Sequence, residues 1–382
     1  MNVLIIPSWY RSLNQPNSGV FFRDQAKAIA SNGHTVVLLD ASLRDRSGWF
    51  SKDCMRFNKV VDENITVYTF NFPSLIFGKF PYIHCFVYGI SLEYLVRKAK
   101  KDGFNADIIH AHSVYPAGYV VSKHKSKVPI IITEHSSAFS GKQKNKSLKS
   151  IMQKSYDRSD KFICVSESLK LNIEDNLKIK NSKIIVIPNM INDIFVYKPR
   201  IKKNEFIFLS VGNLVENKKM DYLIKAFAQK FTGSMNVKLR IVGNGKMKNE
   251  LQSLIDNLKL NNQVQLIGEL SHIDILSEYQ KCDVFVLASN SETFGVVFRE
   301  AMAVGRPIIA YSNGGIDEDI TSFNGLFLKE NSIEKLADAL TLIKNKIEFF
   351  DNERISKNCL SKYSKHVIIK QILEIYKQLS EI

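Results

Sequence analysis

Short apolar runs alternate with amphipathic stretches along almost the whole chain. Val3–Ile6 is unbroken apolar sequence, as in a strand covered on both faces. Phe21–Ala30 reads as a helix stopped at Asn32-Gly33, and Thr35–Leu39 is the next strand. Further strands are predicted at Asp107–His110, Ile130–Thr133, Phe162–Val165 and Ile184–Ile187, with helical stretches between most of them. Such alternation predicts βαβ units around a parallel sheet. The pattern then restarts. Phe206–Val211, Val237–Val242, Val264–Ile267, Val284–Leu287 and Pro307–Ala310 read as strands, Asp221–Lys230 and Lys248–Leu258 as helices, and Ser361–Leu379 as one long helical tail.

The expected fold class is therefore α/β, with two doubly wound parallel-sheet domains facing a cleft. The first spans 1–195 and the second 205–360, with a linker at 196–204 and a C-terminal helix at 361–382. Pro199, Arg200, Lys202 and Lys203 give the linker the look of a solvated connection. In open parallel sheets ligands sit at the carboxyl ends of the strands, so the loops that follow strands are where chemistry is expected.

Composition narrows this picture only slightly. The 382 residues are 45% hydrophobic and 24% charged, which is ordinary for globular domains and excludes a disordered chain. Five scattered cysteines without metal-ligand spacing read as reduced thiols. The start, Met1–Pro7, has no basic segment and too short an apolar run for a secretion signal, and no run is long enough to span a bilayer. A cytoplasmic protein is expected, or one peripheral on the inner face of the cell membrane. The net charge of +15 favours anionic partners, but a lysine-rich surface that merely keeps the protein soluble has the same effect on composition.

Two loops stand out. In Val211-Gly-Asn-Leu-Val-Glu-Asn-Lys-Lys219, Gly212 permits a tight turn and Lys218 lies just ahead of a helix, a place for phosphate. Taken alone, Lys218 is equally a surface lysine. In Ser291-Glu-Thr-Phe-Gly-Val-Val-Phe-Arg-Glu300, a helix is expected to begin near Phe294-Gly295. The N–H groups of Gly295, Val296 and Val297 would then lack intrahelical partners and could take a diphosphate. Glu292 would sit in the loop and Glu300 on the helix, able to accept hydrogen bonds from vicinal hydroxyls. Two glutamates at this spacing mean little by chance; their context carries the weight.

That context resembles a known family. Ser289–Ala310 is similar to the Glu-x7-Glu signature of the retaining, GT-B fold glycosyltransferases of the large family four. Pro7-Ser-Trp-Tyr10 with Asn17–Phe22, Asp107–His112 with Pro116-Ala-Gly118, Val186–Asn189, Val211–Lys218, Ile241–Gly245 and Gly314-Gly315 resemble other family segments, so the likeness covers nearly the whole chain. It implies an acceptor-binding first domain, a nucleotide-sugar donor-binding second domain, and a terminal helix that crosses back to the first. Lys218 would bind the donor phosphates and Glu300 the ribose. Glu292, with the backbone of Phe294, Gly295 and Val296, would hold sugar hydroxyls and phosphate. Gly19 would approach the diphosphate from the first domain, Gly212 and Asn213 would lie in the phosphate loop, and Gly268, Glu269 and Leu270 would lie by the base. His112 would face the transferred sugar, with His135 on the acceptor side. Many relatives carry Arg where this chain has Asn213, which leaves Lys218, Lys219 and helix termini to neutralise the phosphates.

The implied reaction is glycosyl transfer from a nucleotide diphosphate sugar, with UDP the family's commonest carrier, to a saccharide or lipid-linked saccharide. Glu292, His112 and Lys218 are the expected catalytic set. No metal is expected: Asp317-Glu-Asp319 has the form of a metal motif but resembles an acidic helix start. Arg97–Lys101, Lys123–Lys127, Lys142–Lys149 and the aromatic stretch Phe70–Tyr88 suit an anionic membrane surface or, equally, a solvated face. Two alternatives stay open: a GT-B fold nucleotide-sugar epimerase, and a non-catalytic basic binding protein. No nucleic-acid partner is expected, because the lysines are scattered and no known module is present.

Overall fold

The computed structural model describes residues 1–12, 18–44, 54–74, 80–123, 127–139, 141–179, 183–200 and 203–381. They form two compact units, Met1–Met190 with His366–Ile382, and Ile191–Lys365.

The first unit is built on an eight-stranded sheet. Its strands are β1 (Asn2–Pro7), β2 (Thr35–Asp40), β3 (Asn58–Asp62), β4 (Ile65–Thr69), β5 (Ile108–His112), β6 (Ile130–Glu134), β7 (Lys161–Cys164) and β8 (Ile184–Val186). The order is β3-β4-β2-β1-β5-β6-β7-β8, and all pairs are parallel except β3 with β4. Val3 pairs with Val36 on one side and Ile108 on the other, so β1 is buried in the middle. Helices α1 (Val20–Ala30), α2 (Pro81–Lys101), α3 (Tyr119–Ser122), α4 (Lys146–Arg158) and α5 (Glu167–Leu177) belong to this unit. The hairpin β3–β4 escapes the hydrophobic pattern because β3 is an exposed edge strand with no apolar face to bury. Within Phe70–Tyr88, residues from Pro81 onward are the start of α2, and residues 75–79 lie outside the described residues.

The second unit carries a six-stranded, all-parallel sheet. Its strands are β9 (Phe206–Val211), β10 (Val237–Val242), β11 (Val264–Gly268), β12 (Val284–Leu287), β13 (Ile308–Tyr311) and β14 (Gly325–Leu328). Their order is β11-β10-β9-β12-β13-β14. Helices α6 (Met220–Phe231), α7 (Lys248–Asn257), α8 (His272–Lys281), α9 (Val296–Ala303), α10 (Ile333–Asn345) and α11 (Asn352–Tyr363) complete it.

The expected single tail helix is two. After α11, Ser364 is extended (φ −61°, ψ 151°), and α12 (Lys365–Ser380) starts afresh. The break follows from two different attachments. Tyr363 hydrogen-bonds Asp319 in the second unit, at 2.6 Å and 2.7 Å to its two oxygens. Ile368, Ile369, Ile372, Tyr376 and Leu379 join the core of the first, with Val3, Ile5 and Leu38. Of the basic residues after Pro199, Lys203 is exposed, whereas Arg200 is held by two ion pairs and largely buried. Arg200 pairs with Asp283 at 3.0 Å and with Glu348 at 2.5 Å, and Lys203 donates to the Lys281 carbonyl at 2.7 Å. Lys202 lies outside the described residues.

Candidate functional site

Parallel strands all end on one edge of their sheet, so the loops after β9, β10, β11 and β12 assemble there without further instruction. The loop after β9 closes with a 3-10 turn, Glu216–Lys218, that delivers Lys218. Its Nζ lies 2.5 Å from Glu292 Oε1, and both side chains are largely buried. Asn217 stitches the same two loops: its carbonyl accepts from Asn290 N at 2.9 Å, and its amide donates to the Ser291 carbonyl at 3.0 Å. Gly212 does not take a left-handed backbone, and a Cβ there would only touch Lys218 and Met220 at ordinary distance. The restrictive glycine is its neighbour Gly243, where a Cβ would lie 2.0 Å from the Gly212 carbonyl oxygen. Asn213 is exposed. The β11 loop comes alongside, with the Gly268 carbonyl accepting from Gly243 N at 2.8 Å, Glu269 exposed and Leu270 half-buried.

After β12 the chain runs through Glu292 to Gly295, which takes the left-handed conformation (φ 72°) as N-cap of α9. Phe298 N bonds back to the Gly295 carbonyl at 3.1 Å, while the N–H groups of Gly295, Val296 and Val297 have no partner among the described residues. Phe294 turns its ring inward, 3% exposed, and offers only its backbone to a ligand. Arg299 fastens this turn. Its guanidinium donates to the Phe294 carbonyl and, at 2.9 Å, to the Gly315 carbonyl, and it pairs with Asp319 under the Phe294 and Tyr363 rings. Gly315 sits so close that a Cβ would come within 2.5 Å of Glu292 Cβ, and Glu292 N donates to the Asn313 carbonyl at 2.9 Å.

Asp317-Glu-Asp319 is a turn, not a helix start. Asp317 accepts from the N–H groups of Asn313 and Gly314, each at 2.9 Å, and so shapes the loop that backs Glu292. Asp319 is consumed by Arg299, Lys362 and Tyr363. Among the described residues no group of three His, Cys, Asp or Glu is placed to hold a metal ion.

Glu300 is only 9% exposed, and its Oε2 lies 3.0 Å from Tyr279 Oη. Burial pushes its carboxyl up to about 7. Tyr279 Oη also lies 3.0 Å from the Val297 carbonyl, and one hydroxyl proton cannot serve both acceptors fully. A protonated Glu300 donates to the phenol oxygen and resolves the conflict; an ionised one is short of a donor and ready for a hydroxyl.

In the first unit, the ends of β5 and β6 bring three histidines together. His112 Nδ1 lies 3.0 Å from His135 Nε2, and His110 stacks on His112 with ring centroids 4.4 Å apart. Phe22 covers both His112 and His135, at 4.8 Å and 5.2 Å. Desolvation lowers all three histidines, His110 and His135 to about 3, so they are neutral at physiological pH. His112 Nε2 is buried without a partner among the described residues. Gly19 (φ 68°) caps α1 hard against the loop after β1, where a Cβ would lie 3.0 Å from the Trp9 carbonyl oxygen. Asn17 of the same segment lies outside the described residues.

Two residues that sequence reasoning missed hold this arrangement. Glu134, fully buried, accepts from the backbone N–H groups of Val114 (2.7 Å), His135 (2.8 Å) and Ser136 (2.5 Å). Burial raises it to about 7 against the pull of those donors. Tyr376 on α12 lies 2.7 Å from His110 Nδ1, and Thr133 lies 2.7 Å from His110 Nε2. An acid closing the apolar run of β6 was the available signal for Glu134; nothing local marks Tyr376.

With this geometry in hand, comparison with known proteins is informative. The family described as Glycosyltransferase Family 4 matches residues 18–194, and the one described as Glycosyl transferases group 1 matches residues 192–359. The chain belongs to the family-four glycosyltransferases. Among relatives of this glycosyltransferase is the N-acetyl-alpha-D-glucosaminyl L-malate synthase of Bacillus anthracis, 26% identical over 94% of this chain and 93% of the relative. Sucrose-phosphate synthase from Thermosynechococcus elongatus shares its fold at a TM-score of 0.81, with 18% identity and 99% of each chain covered. Anabaena HepE, solved in complex with UDP, does so at 0.73, with 17% identity over 99% of this chain and 100% of that one. Both units of the glycosyltransferase therefore have the Rossmann-like architecture of GT-B enzymes.

Proposed function

We propose that the chain is a retaining glycosyltransferase. It moves a hexosyl or N-acetylhexosaminyl group from a nucleotide diphosphate sugar, UDP-sugar favoured, to a saccharide or lipid-linked saccharide acceptor in bacterial surface-polysaccharide synthesis. One observation carries the reading: the unpaired N–H groups opening α9 lie in sequence between Glu292, already paired with Lys218, and buried Glu300. A diphosphate on those N–H groups takes Lys218 from Glu292. Glu292 is then free to accept from sugar hydroxyls, and Glu300 from the ribose. Neutral His112 offers a hydrogen bond, not a proton. The acceptor O–H bond breaks as its oxygen bonds the anomeric carbon on the face the phosphate leaves. The electron pair of the old C–O bond goes to the phosphate oxygen, which also takes the proton. Fixed N–H groups and Lys218 stabilise the charge that develops there. The names of the relatives support the donor class: one makes an N-acetylglucosaminyl product and one was solved with UDP.

The test separates binding from turnover. Losing a charge-assisted contact is worth about 1.5–3 kcal/mol, so Lys218→Ala should weaken UDP binding roughly 10–100-fold by calorimetry. Glu292→Ala should hold UDP at least as well as the parent, because Lys218 loses its competitor. It should nevertheless lose slow donor hydrolysis by about 100-fold or more. If neither change touches UDP binding or hydrolysis in a nucleotide-sugar panel, the assignment is wrong.

A lipid-linked acceptor fits one feature of the first unit. Phe80, Ile83, Phe86 and Ile90 are 46–68% exposed along α2, beside Arg97, while Lys154 lies over the Tyr82 ring. Apolar side chains flanked by cations match an anionic bilayer surface. Residues 124–126 of the neighbouring basic cluster lie outside the described residues, and no described helix is long and apolar enough to cross a membrane. Flotation with phosphatidylglycerol liposomes at low salt should carry the protein upward, and Phe86→Ser should reduce it. No flotation at low salt rejects this surface.

A further inference from the structure

Arg299 lies on α9, 4% exposed, and its guanidinium reaches back to the turn that opens the same helix. Nη1 donates to the Phe294 carbonyl and to the Gly315 carbonyl, and a Cβ on Gly295 would lie 3.7 Å from it. Nη2 pairs with Asp319. The guanidinium carbon lies 3.8 Å from the centroid of the Phe294 ring and 4.7 Å from that of Tyr363. A planar fork packed against two rings has little freedom, so the two carbonyls are held at a set spacing. Each belongs to one side of the donor site. Gly315 abuts Glu292, and the Phe294 carbonyl shares its peptide unit with the Gly295 N–H, one of the groups left unpaired at the start of α9.

That shared peptide gives Arg299 an effect beyond holding the chain. A cation on the carbonyl draws electron density through the peptide and makes its N–H a stronger donor; hydrogen bonds in such a chain strengthen one another by roughly 10–30%. Asp319 does not cancel the charge one for one, because it also accepts from Tyr363 Oη at 2.6 Å and pairs with Lys362 at 3.4 Å. Two cations therefore share one carboxylate behind the turn. We propose that Arg299 is a positioning residue for the donor diphosphate: through the Phe294–Gly295 peptide it fixes and polarises the Gly295 N–H on which a phosphate sits. This rests on the donor reading above and deepens it, since it names a residue that acts on the phosphate without touching it.

The experiment titrates the full chain and Arg299→Lys with UDP, with inorganic pyrophosphate and with uridine. Lysine keeps the charge but cannot reach two carbonyls and a carboxylate with one fork. UDP and pyrophosphate should each bind about 3–10-fold more weakly, the size of one ordinary hydrogen bond, while uridine, which has no phosphate, changes less than about 2-fold. In glycine-labelled protein without ligand, the Gly295 amide proton should move upfield in the variant, as a less polarised N–H does. Where Arg299→Lys folds poorly, Tyr363→Phe carries the same test, because it keeps the ring and removes only the hydroxyl that holds Asp319. It should weaken UDP about 2-fold or more and spare uridine. Unchanged UDP affinity, an equal loss for UDP and uridine, or an unmoved Gly295 amide overturns the proposal. UDP titration of Lys218→Ala judges the donor reading separately: a loss there with none in Arg299→Lys sinks the role of Arg299 alone.

Discussion

Lys218, Glu292 and Glu300 are each paired before any ligand arrives, and each pairing says something about how the site works. Glu300 is the most informative. It has a carboxyl pushed to about 7 by burial and a tyrosine that cannot satisfy it fully when ionised. Donor hydroxyls prefer the ionised form. Binding of a nucleotide sugar therefore expels a proton when the pH is below about 7, and affinity rises with pH until the group is ionised in the free protein too. The expectation is a fall in the Kd for UDP between pH 6 and pH 8 that Glu300→Gln abolishes. A pH-independent Kd in the parent would remove Glu300 from the ribose. Sequence gave the position of Glu300 but not its burial, because a helix residue's exposure depends on what packs across from it, here Tyr279 on α8.

At the scale of elements, α9 and α12 show two ways of fixing a functional turn. The α9 start is held by a side chain of the same helix, Arg299, reaching back to its own N-cap region and across to Gly315. A single cation in α9 was visible in sequence; its acceptors were not. The histidine cluster is held instead from far along the chain, because α12 brings Tyr376 to His110. Tyr376→Phe keeps the ring and its packing but leaves His110 Nδ1 short of a buried partner. A loss of about 1–3 kcal/mol is expected. It should appear as an earlier urea midpoint for the unit that contains α12, with UDP affinity unchanged. An unaltered midpoint would mean that α12 is held by apolar contacts alone.

For the molecule as a whole, the two units should respond differently to acid. The first holds His84, His110, His112 and His135 neutral by burial, with His84 lowered to about 4 and His110 and His135 to about 3. Unfolded histidine binds a proton below about 6.5. Between that pH and about 4 the unfolded state therefore holds more protons, and stability falls as pH falls. Glu134, raised to about 7, opposes this, since the folded state keeps its proton where an unfolded carboxyl has lost it. Four histidines outweigh one glutamate. Urea melts at pH 7.5 and 5.5 should show the transition of the first unit moving to lower urea in acid, and moving further than that of the second. Equal shifts would show that the buried histidines find protons in the folded state.

The alternation of apolar and amphipathic runs determined two α/β units on its own, because a strand covered on both faces must be apolar throughout and a crossover helix must carry one apolar face. It also placed the loops that bear Lys218, Glu292 and Gly295, since parallel strands put those loops on one edge whatever else happens. It could not find the β3–β4 edge, the break at Ser364, the reach of Arg299 or the pairing of Lys218 with Glu292. Each of those rests on contacts between residues far apart in the chain, whose energies depend on burial and on unsatisfied partners that exist only once the sheets have formed. Local pattern decides which segments become strands and helices; only packing decides which polar groups are left wanting a ligand.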